Sequence, residues 1–312
     1  MNHELTEQEL TQWKGIITDV LRAFHEICEK YGLTYYAIGG TAIGAVRHQG
    51  IIPWDDDIDV GMPRPDFERF MEICRTTDFG DYELVSDETH EAYNLPFPKF
   101  CKKNTTLMER ADVPCVIGLY IDVFALDATS DDRAEVEVLM HRYKKLQNRH
   151  EAICTHSTFA EYIMLLTKPH EWGRFCYKTI GFFFRQRMRR SLLRQMRAIC
   201  LKYPYGSTHH LINYGGSYMM REVFHSRVVE GEVPVMPFEN ISIRMLPGFD
   251  EYLRGIYGDY MQLPPEEKRA SHHTKAYYNL EAREPEDVVI RKVKGMRCQR
   301  SAAIVCASPS SR

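Results

Sequence analysis

Leu10, Trp13, Ile17, Val20, Leu21, Phe24, Ile27 and Cys28 recur at helical spacing between a Thr6/Glu9 capping-box pair and Gly32. The chain therefore opens on an amphipathic helix with one buried face and a glycine stop. "LTYYAIGG" then reads as a short strand entering a glycine turn, "TAIGAVRH" as a short helix and "DIDVGM" as a second strand. The next helix carries Phe67, Phe70, Met71 and Cys74 on one face, and "YELVS", "FPKFC" and "GLYIDVFAL" follow as strands. From about 131 to 205 the pattern is helical, and from 206 to 262 short mixed elements return, with turns at Gly206, Gly215-Gly216, Gly248 and Gly258. Residues 284–312 show no amphipathic period and are predicted to form a flexible tail.

The 312 residues are 44% hydrophobic and balance 40 basic against 43 acidic side chains, a net charge of -3. That is enough chain for a sizeable core, and no overall field marks a nucleic-acid binder. The nine cysteines never fall in a C-x-x-C pair, so reduced thiols in cytosol are the simplest reading, and neither a zinc ribbon nor a disulfide framework is suggested. "MNHELTEQELTQW" is acidic and polar where a signal peptide would be basic and then apolar, and no window approaches the roughly 18 apolar residues of a membrane span. A cytoplasmic protein is expected.

"GGTAIGAVRHQGIIPWDDDIDV" changes this picture, because it sets four aspartates within five residues beside a glycine pair. Carboxylates so close repel and raise one another's pKa unless a cation sits among them. Asp57 and Asp59 are two apart, and alternate residues of a strand face one side, so both can point at a metal ion while Ile58 and Val60 face the core. Asp55 and Asp56 precede the strand; Asp56 should face away from Asp57, and supporting or capping roles satisfy both equally well. A third acid is expected to complete such a cation site, and Asp122 in "GLYIDVFALD", flanked by apolar residues where a lone charge would be expensive, is the best candidate. Asp127, at the end of that strand, reads as a turn or cap residue.

A glycine pair, a short helix and Asp-x-Asp on the next strand resemble the nucleotidyltransferase superfamily. More narrowly, "GGTAIGAVRHQGIIPWDDDIDVGM", "FPKFCKKNTTLME", "GLYIDVFALDA" and "YLRGIYGDYMQLPPEEKRASHH" are similar to the LicD family of phosphocholine transferases, to which fukutin-related proteins are also similar. The resemblance runs from about residue 15 to 275 and is weak across 130–205. It implies an α/β (α+β) fold: a mixed nucleotidyltransferase-like sheet flanked by helices, one domain over 1–283 with a helical insertion at about 131–205. It also implies transfer of phosphocholine, or a similar phospho-alcohol, from CDP-choline or a related CDP-linked donor. The acceptor would be a hydroxyl of a cell-surface glycan, such as lipopolysaccharide or teichoic acid, or of its lipid-linked precursor. Asp57, Asp59 and Asp122 correspond to the catalytic, metal-holding acids for Mg2+ or Mn2+, and Gly39, Gly40 and Thr41 to the phosphate-side turn, where a helix N-terminus suits an anion. Arg47 and Lys99 are candidates to neutralise charge on the departing CMP. A nucleotidyl or alditol-phosphate transferase on the same fold, or an inactive scaffold in glycan assembly, are the alternatives; the intact acids argue against the scaffold.

Residues 174–202 carry nine basic residues and no acid, with Phe184, Met188, Leu192, Met196 and Ile199 on one helical face. Two readings stand: a helix packed on the domain with a solvated basic face, or one lying on an anionic membrane surface that carries a lipid-linked acceptor. The aromatics cluster at one end instead of interleaving with the charges, which disfavours nucleic acid.

Overall fold

In a computed structural model of the chain, described over residues 5–156, 165, 168–269 and 273–307, with the side chains of 297–307 excepted, the opening helix is α1 (Glu7–Tyr31). Its capping box is complete: Glu9 N–H donates to Thr6 Oγ1 at 3.3 Å and Thr6 N–H to Glu9 Oε2 at 2.9 Å. Gly32 closes it at φ +60°, the left-handed geometry that costs a glycine nothing. The strand β1 (Tyr36–Ala37) is shorter than its apolar run, because the following glycines begin helix α2 (Gly39–His48) instead of a turn.

Strand β2 (Asp59–Pro63), helix α3 (Arg64–Thr76), β3 (Tyr82–Val85), β4 (Lys99–Lys102), β5 (Thr106–Met108) and β6 (Tyr120–Thr129) follow. The main sheet runs β1-β2-β6-β4-β3 and mixes one parallel pair, β2 with β6, among antiparallel ones. The fold is therefore mixed α/β with helices flanking the sheet. The ten-residue β6 is the axis: its first half pairs with β2 and β4, and its last three residues pair with β7 (His210–Ile212), which pairs with β8 (Val223–His225). Side-chain alternation sends Ile121 and Val123 to one face of β6 and Asp122 to the other. Ile121 and Val123 enter the core with Phe100, where Phe24 of α1 and Phe70 of α3 meet Phe100 at 6.2 and 6.0 Å between ring centroids. Asp122 faces the other way.

The predicted helical stretch resolves into α4 (Arg133–Cys154) and α5 (Trp172–Cys200), which pack on each other through Met140, Tyr143, Leu192 and Met196. Strands β9 (Val235–Phe238) and β10 (Ile241–Arg244), helix α6 (Phe249–Tyr257) and strand β11 (Tyr277–Asn279) complete the core. The segment read from sequence as a tail forms α7 (Glu286–Ala307); Val289 and Val293 are fully buried against Met108, Val116 and Ala276. Two valines four apart make too short a stripe to register as amphipathic, and their partners lie far away in sequence.

Asp127 is not a turn or cap residue. It is buried within β6, and Arg64 at the start of α3 grips both its oxygens, Nε to Oδ1 at 2.5 Å and a terminal nitrogen to Oδ2 at 2.8 Å. Losing one member of a buried pair strands the other charge. Arg64→Met should thus destabilise the protein by about 3–5 kcal/mol in urea unfolding, and adding Asp127→Asn should restore much of the loss; a shift within error for the single variant would show that the pair is solvated.

Candidate active site

Asp59, Asp122 and Lys99 stand side by side on three neighbouring strands. Asp59 is the register partner of Asp122 in the parallel β2–β6 pair, and Asp122 is the partner of Lys99 in the antiparallel β6–β4 pair. Register partners share a face, so the three side chains form one row across the same side of the sheet. Lys99, 1% exposed, donates to Asp122 Oδ1 at 2.8 Å, lies 3.5 Å from Glu109 and sits over the Tyr120 ring at 3.3 Å from its centroid. Its ammonium points inward, into the acidic cluster.

Asp57 lies just before β2 in extended chain, although the ladder already begins beside it: Asp122 N–H donates to the Ile58 carbonyl at 2.9 Å. The preceding loop is pinned by α1. Lys14 donates to the carbonyls of Ile52 and Pro53 at 3.0 and 2.9 Å, and the Trp13 indole to that of Asp56 at 2.8 Å. The glycines of α2 admit the acids: a Cβ on Gly39 would lie 3.3 Å from Asp59 Oδ2, and one on Gly40 would lie 2.9 Å from Asp55 Oδ2. Thr41 Oγ1 accepts the Asp59 N–H at 2.8 Å, so the hydroxyl ties the start of α2 to β2. The first turn of α2 thus points its positive end at Asp55 and Asp59.

His273 was not singled out by sequence reasoning, yet it closes the cluster. Its Nδ1 is 2.8 Å from Asp56 Oδ1 and its Nε2 is 3.3 Å from Asp57 Oδ2, so one ring spans two carboxylates that alternation alone would turn apart. Lys275 pairs with the other oxygen of Asp56. Asp55, Asp56, Asp57 and His273 bring their donor atoms within 4.8 Å of one another. The signal for His273 was only the "SHH" that ends the last matching stretch, more than 200 residues from its partners. Arg47 takes no part: from the last turn of α2 it donates to the carbonyls of Tyr260 and Gln262 at 2.7 and 3.3 Å, bracing the "YGDYMQL" loop.

The charge states follow from these contacts. Burial, reinforced by Asp57 and Asp122, pushes Asp59 well above the usual carboxylate range. Burial likewise raises Asp122, although Lys99 opposes it, and raises Asp57 against the pull of His273. Asp55, buried and sharing a hydrogen bond with Asp57, is pushed up to about 8. Burial works against the charged form of Asp56 too, but hydrogen bonds from His273 and Lys275 outweigh it and hold that carboxyl below its ordinary value. Asp56 is therefore neutralised from within, while the charged forms of Asp57, Asp59 and Asp122 are disfavoured because Lys99 and His273 only partly offset them. Buried, crowded carboxylate oxygens suit a hard divalent cation. The cluster of Asp55, Asp56, Asp57 and His273 could hold one, and Asp59 and Asp122 line the same cavity as Asp57 and His273. Cavities of about 300 and 210 Å³ open on either side of Asp122 and His273, the larger lined by Lys99 and Glu109 and the smaller by Asp57 and Asp59.

Residues 32–155 match the family model described as the LicD/FKTN/FKRP nucleotidyltransferase domain, and this span contains β2, β4, β6 and all the carboxylates above. The chain is 28% identical over 293 residues, 88% of its length and 98% of the other protein's, to the lipopolysaccharide cholinephosphotransferase LicD of Haemophilus influenzae. Residues 32–155 thus carry a LicD-type nucleotidyltransferase domain, and the likeness to LicD runs along most of the chain. Uncharacterized proteins of Rickettsia typhi and Rickettsia prowazekii match shorter stretches, 44% identical over 54 residues and 36% over 84, covering 18% and 29% of those proteins.

A carboxyl whose folded pKa lies above its unfolded value keeps a proton in the folded state that the unfolded chain has lost, so raising the pH through that interval favours unfolding. For Asp55 the interval runs from 3.8 to about 8. His273, raised from 6.5 to about 10 as its contacts with Asp56 and Asp57 overcome burial, stabilises fully below the lower value and loses that effect through the upper one. Both act in one direction: with EDTA, the melting temperature should fall between about pH 5 and pH 9, and added Mg2+ should raise it more at pH 8 than at pH 5, because bound metal displaces the protons. Calorimetry would contradict the assignment by showing metal-free stability that climbs over that range.

Proposed function

We propose that this protein transfers phosphocholine from CDP-choline to a hydroxyl of a cell-surface glycan or its lipid-linked precursor, with Mg2+ or Mn2+ held by Asp57, Asp59 and Asp122. The observation that carries the reading is the row of Asp59, Asp122 and Lys99 in register across β2, β6 and β4, with Asp57 beside it and a cavity on each side. The name of the Haemophilus influenzae relative supports the choice of phosphocholine and of lipopolysaccharide as the acceptor class.

In the reaction, the acceptor oxygen attacks the choline-bearing phosphorus, the phosphorus–oxygen bond to CMP breaks, and CMP leaves with the electron pair. Asp57, Asp59 and Asp122 would hold a divalent cation, which would supply charge neutralisation at the phosphate oxygens and the departing CMP. Asp122 receives the acceptor proton: Lys99 occupies its Oδ1 and favours the ionised form, leaving Oδ2 for the hydroxyl or the cation. The N-terminal turn of α2, with Gly39, Gly40 and Thr41, offers its positive end to the donor phosphates. Arg47 braces the neighbouring loop in this scheme.

Release of CMP from CDP-choline should require Mg2+ or Mn2+ and stop with EDTA. Asp57→Asn and Asp59→Asn should each lower kcat/KM by about a thousandfold or more, since a lost ligand removes several kcal/mol of charge stabilisation and each 1.36 kcal/mol is tenfold. Their metal-free melting temperatures should hold or rise as repulsion is relieved. Asp122→Asn should lose most turnover while keeping more of the donor affinity, measured calorimetrically, than Asp57→Asn does. Substantial activity in either of the first two variants would sink the reading.

We also propose that α5 docks the enzyme on an anionic bilayer. The sequence stripe divides: Leu192, Met196 and Ile199 are buried against α4, whereas Phe184 sits at a break in the helix, φ -121° and ψ 23°, exposed beside Phe182 and Phe183. Phe182 and Phe183 are 71% and 74% exposed, with the exposed Arg187, Arg190 and Arg194 in the following turns. Arg197 pairs with Glu68 and Arg189 is buried on the carbonyls of Asp87, His90 and Tyr93, so the basic face is narrower than the sequence count. Apolar wedge and cationic flank together suit an anionic lipid surface. The helices of the described residues include none long and apolar enough to cross a membrane. Wild type should co-sediment with phosphatidylglycerol vesicles at low salt, and each of Arg187→Gln, Arg190→Gln and Arg194→Gln should weaken binding roughly fivefold, about 1 kcal/mol. Phe182→Ser with Phe183→Ser should weaken it without lowering stability. A wild type that ignores such vesicles removes the membrane role.

A further inference from the structure

The cavity of about 210 Å³ that meets Asp57 and Asp59 has a second end, which the phosphoryl chemistry does not use. That end is walled by Tyr218, Tyr252, Tyr257, Phe124 and a glutamate, Glu222. Tyr218 and Tyr257 meet edge to face, centroids 5.0 Å apart. Glu222 is 4% exposed, and one oxygen accepts the Tyr218 N–H at 3.0 Å. Among the described residues it has no ion-pair partner: Lys144, whose charge reaches it through space, gives its ammonium to the Gly216 carbonyl at 2.8 Å. Gly216 makes the burial possible, since a Cβ there would lie 2.1–2.5 Å from the Glu222 carboxyl group.

A buried carboxylate without a counter-ion is costly, and aromatic rings around it add negative faces to the same space. The ends of the cavity are joined at Gly39, where a Cβ would be 3.3 Å from Asp59 Oδ2 and 3.6 Å from the Tyr257 hydroxyl. A ligand bound by its phosphate at the acids thus meets the tyrosines and Glu222 directly. A cation on a short tether from that phosphate fits this environment. The tyrosine walls favour a quaternary ammonium, which has no N–H to satisfy, over a primary one that would seek several acceptors.

We propose that Glu222, Tyr218, Tyr252 and Tyr257 form the head-group subsite that selects a trimethylammonium-bearing donor over its primary-amine analogue. The assignment rests on the transfer reading above for the position of the phosphate, and it names the residues that discriminate the alcohol.

The test uses the full chain with Mg2+ and calorimetric titration of choline phosphate, ethanolamine phosphate and CDP. Wild type should bind choline phosphate about tenfold or more tightly than ethanolamine phosphate. Glu222→Gln and Tyr218→Leu should each weaken choline phosphate about tenfold and leave CDP affinity unchanged. Tyr218 is 45% exposed, so its variant decides the matter if Glu222→Gln fails to fold. Equal affinity of wild type for the two phosphates, or a parallel loss of CDP binding in Tyr218→Leu, overturns the subsite. CMP release at equal rates from CDP-choline and CDP-ethanolamine would also overturn it while leaving the transfer reading intact. Selective binding of choline phosphate without CMP release from any CDP donor would retain the subsite and overturn the transfer reading.

Discussion

Repulsion among Asp55, Asp57, Asp59 and Asp122 in a largely buried space is the constraint around which the molecule is arranged. Four ionised carboxyls there would be prohibitive without compensation. Three sources supply it: Lys99 from β4 against Asp122, His273 against Asp56 and Asp57, and the N-terminal end of α2 beside Asp55 and Asp59. The compensation is incomplete, as the raised pKa values of Asp55, Asp57, Asp59 and Asp122 show. That shortfall is what a divalent cation and a phosphate donor would complete, so a destabilised centre is the condition for binding them.

The rest of the fold serves to hold that centre still. Strand β6 places Asp122 between Asp59 and Lys99, its apolar side chains anchor the sheet to α1 and α3, and its far end is locked by the Asp127–Arg64 pair. Helix α1, apart from covering the sheet, fixes the acidic loop through Trp13 and Lys14. Charged side chains on rigid strands lose little further entropy when a ligand arrives, which favours positioning of phosphoryl groups over induced rearrangement.

The two ends of the smaller cavity solve different problems. At the acidic end crowded carboxylates leave negative charge that a cation could offset; at the tyrosine end a single glutamate faces aromatic walls. The acids of the first all lie within residues 32–155, the span that matches the family model. Glu222, Tyr252 and Tyr257 lie beyond that span, on elements that pack against its open side.

Local sequence determined the capped α1 and its glycine stop, the apolar face of α3, the strands around the sheet, and Asp57 and Asp59 as neighbouring acids, because each rests on spacing of 2 or 3.6 residues or on charges crowded within a few positions. Asp122 stood out only as a lone acid in an apolar strand, and register placed it beside Asp59. Local sequence could mark Lys99 and Arg47 only as two cations within the matching stretches. Tertiary structure separated them: strand register sent Lys99 into the carboxylates, while α2 carried Arg47 a full ten-residue helix away, to the carbonyls of Tyr260 and Gln262. It likewise recruited His273 and Lys275, docked residues 286–296 through Val289 and Val293, buried Asp127 on Arg64, and divided the 174–202 stripe between core and surface. None of these has a local period, since a counter-charge or an apolar partner works at any sequence distance. Only the folded chain shows which one arrived.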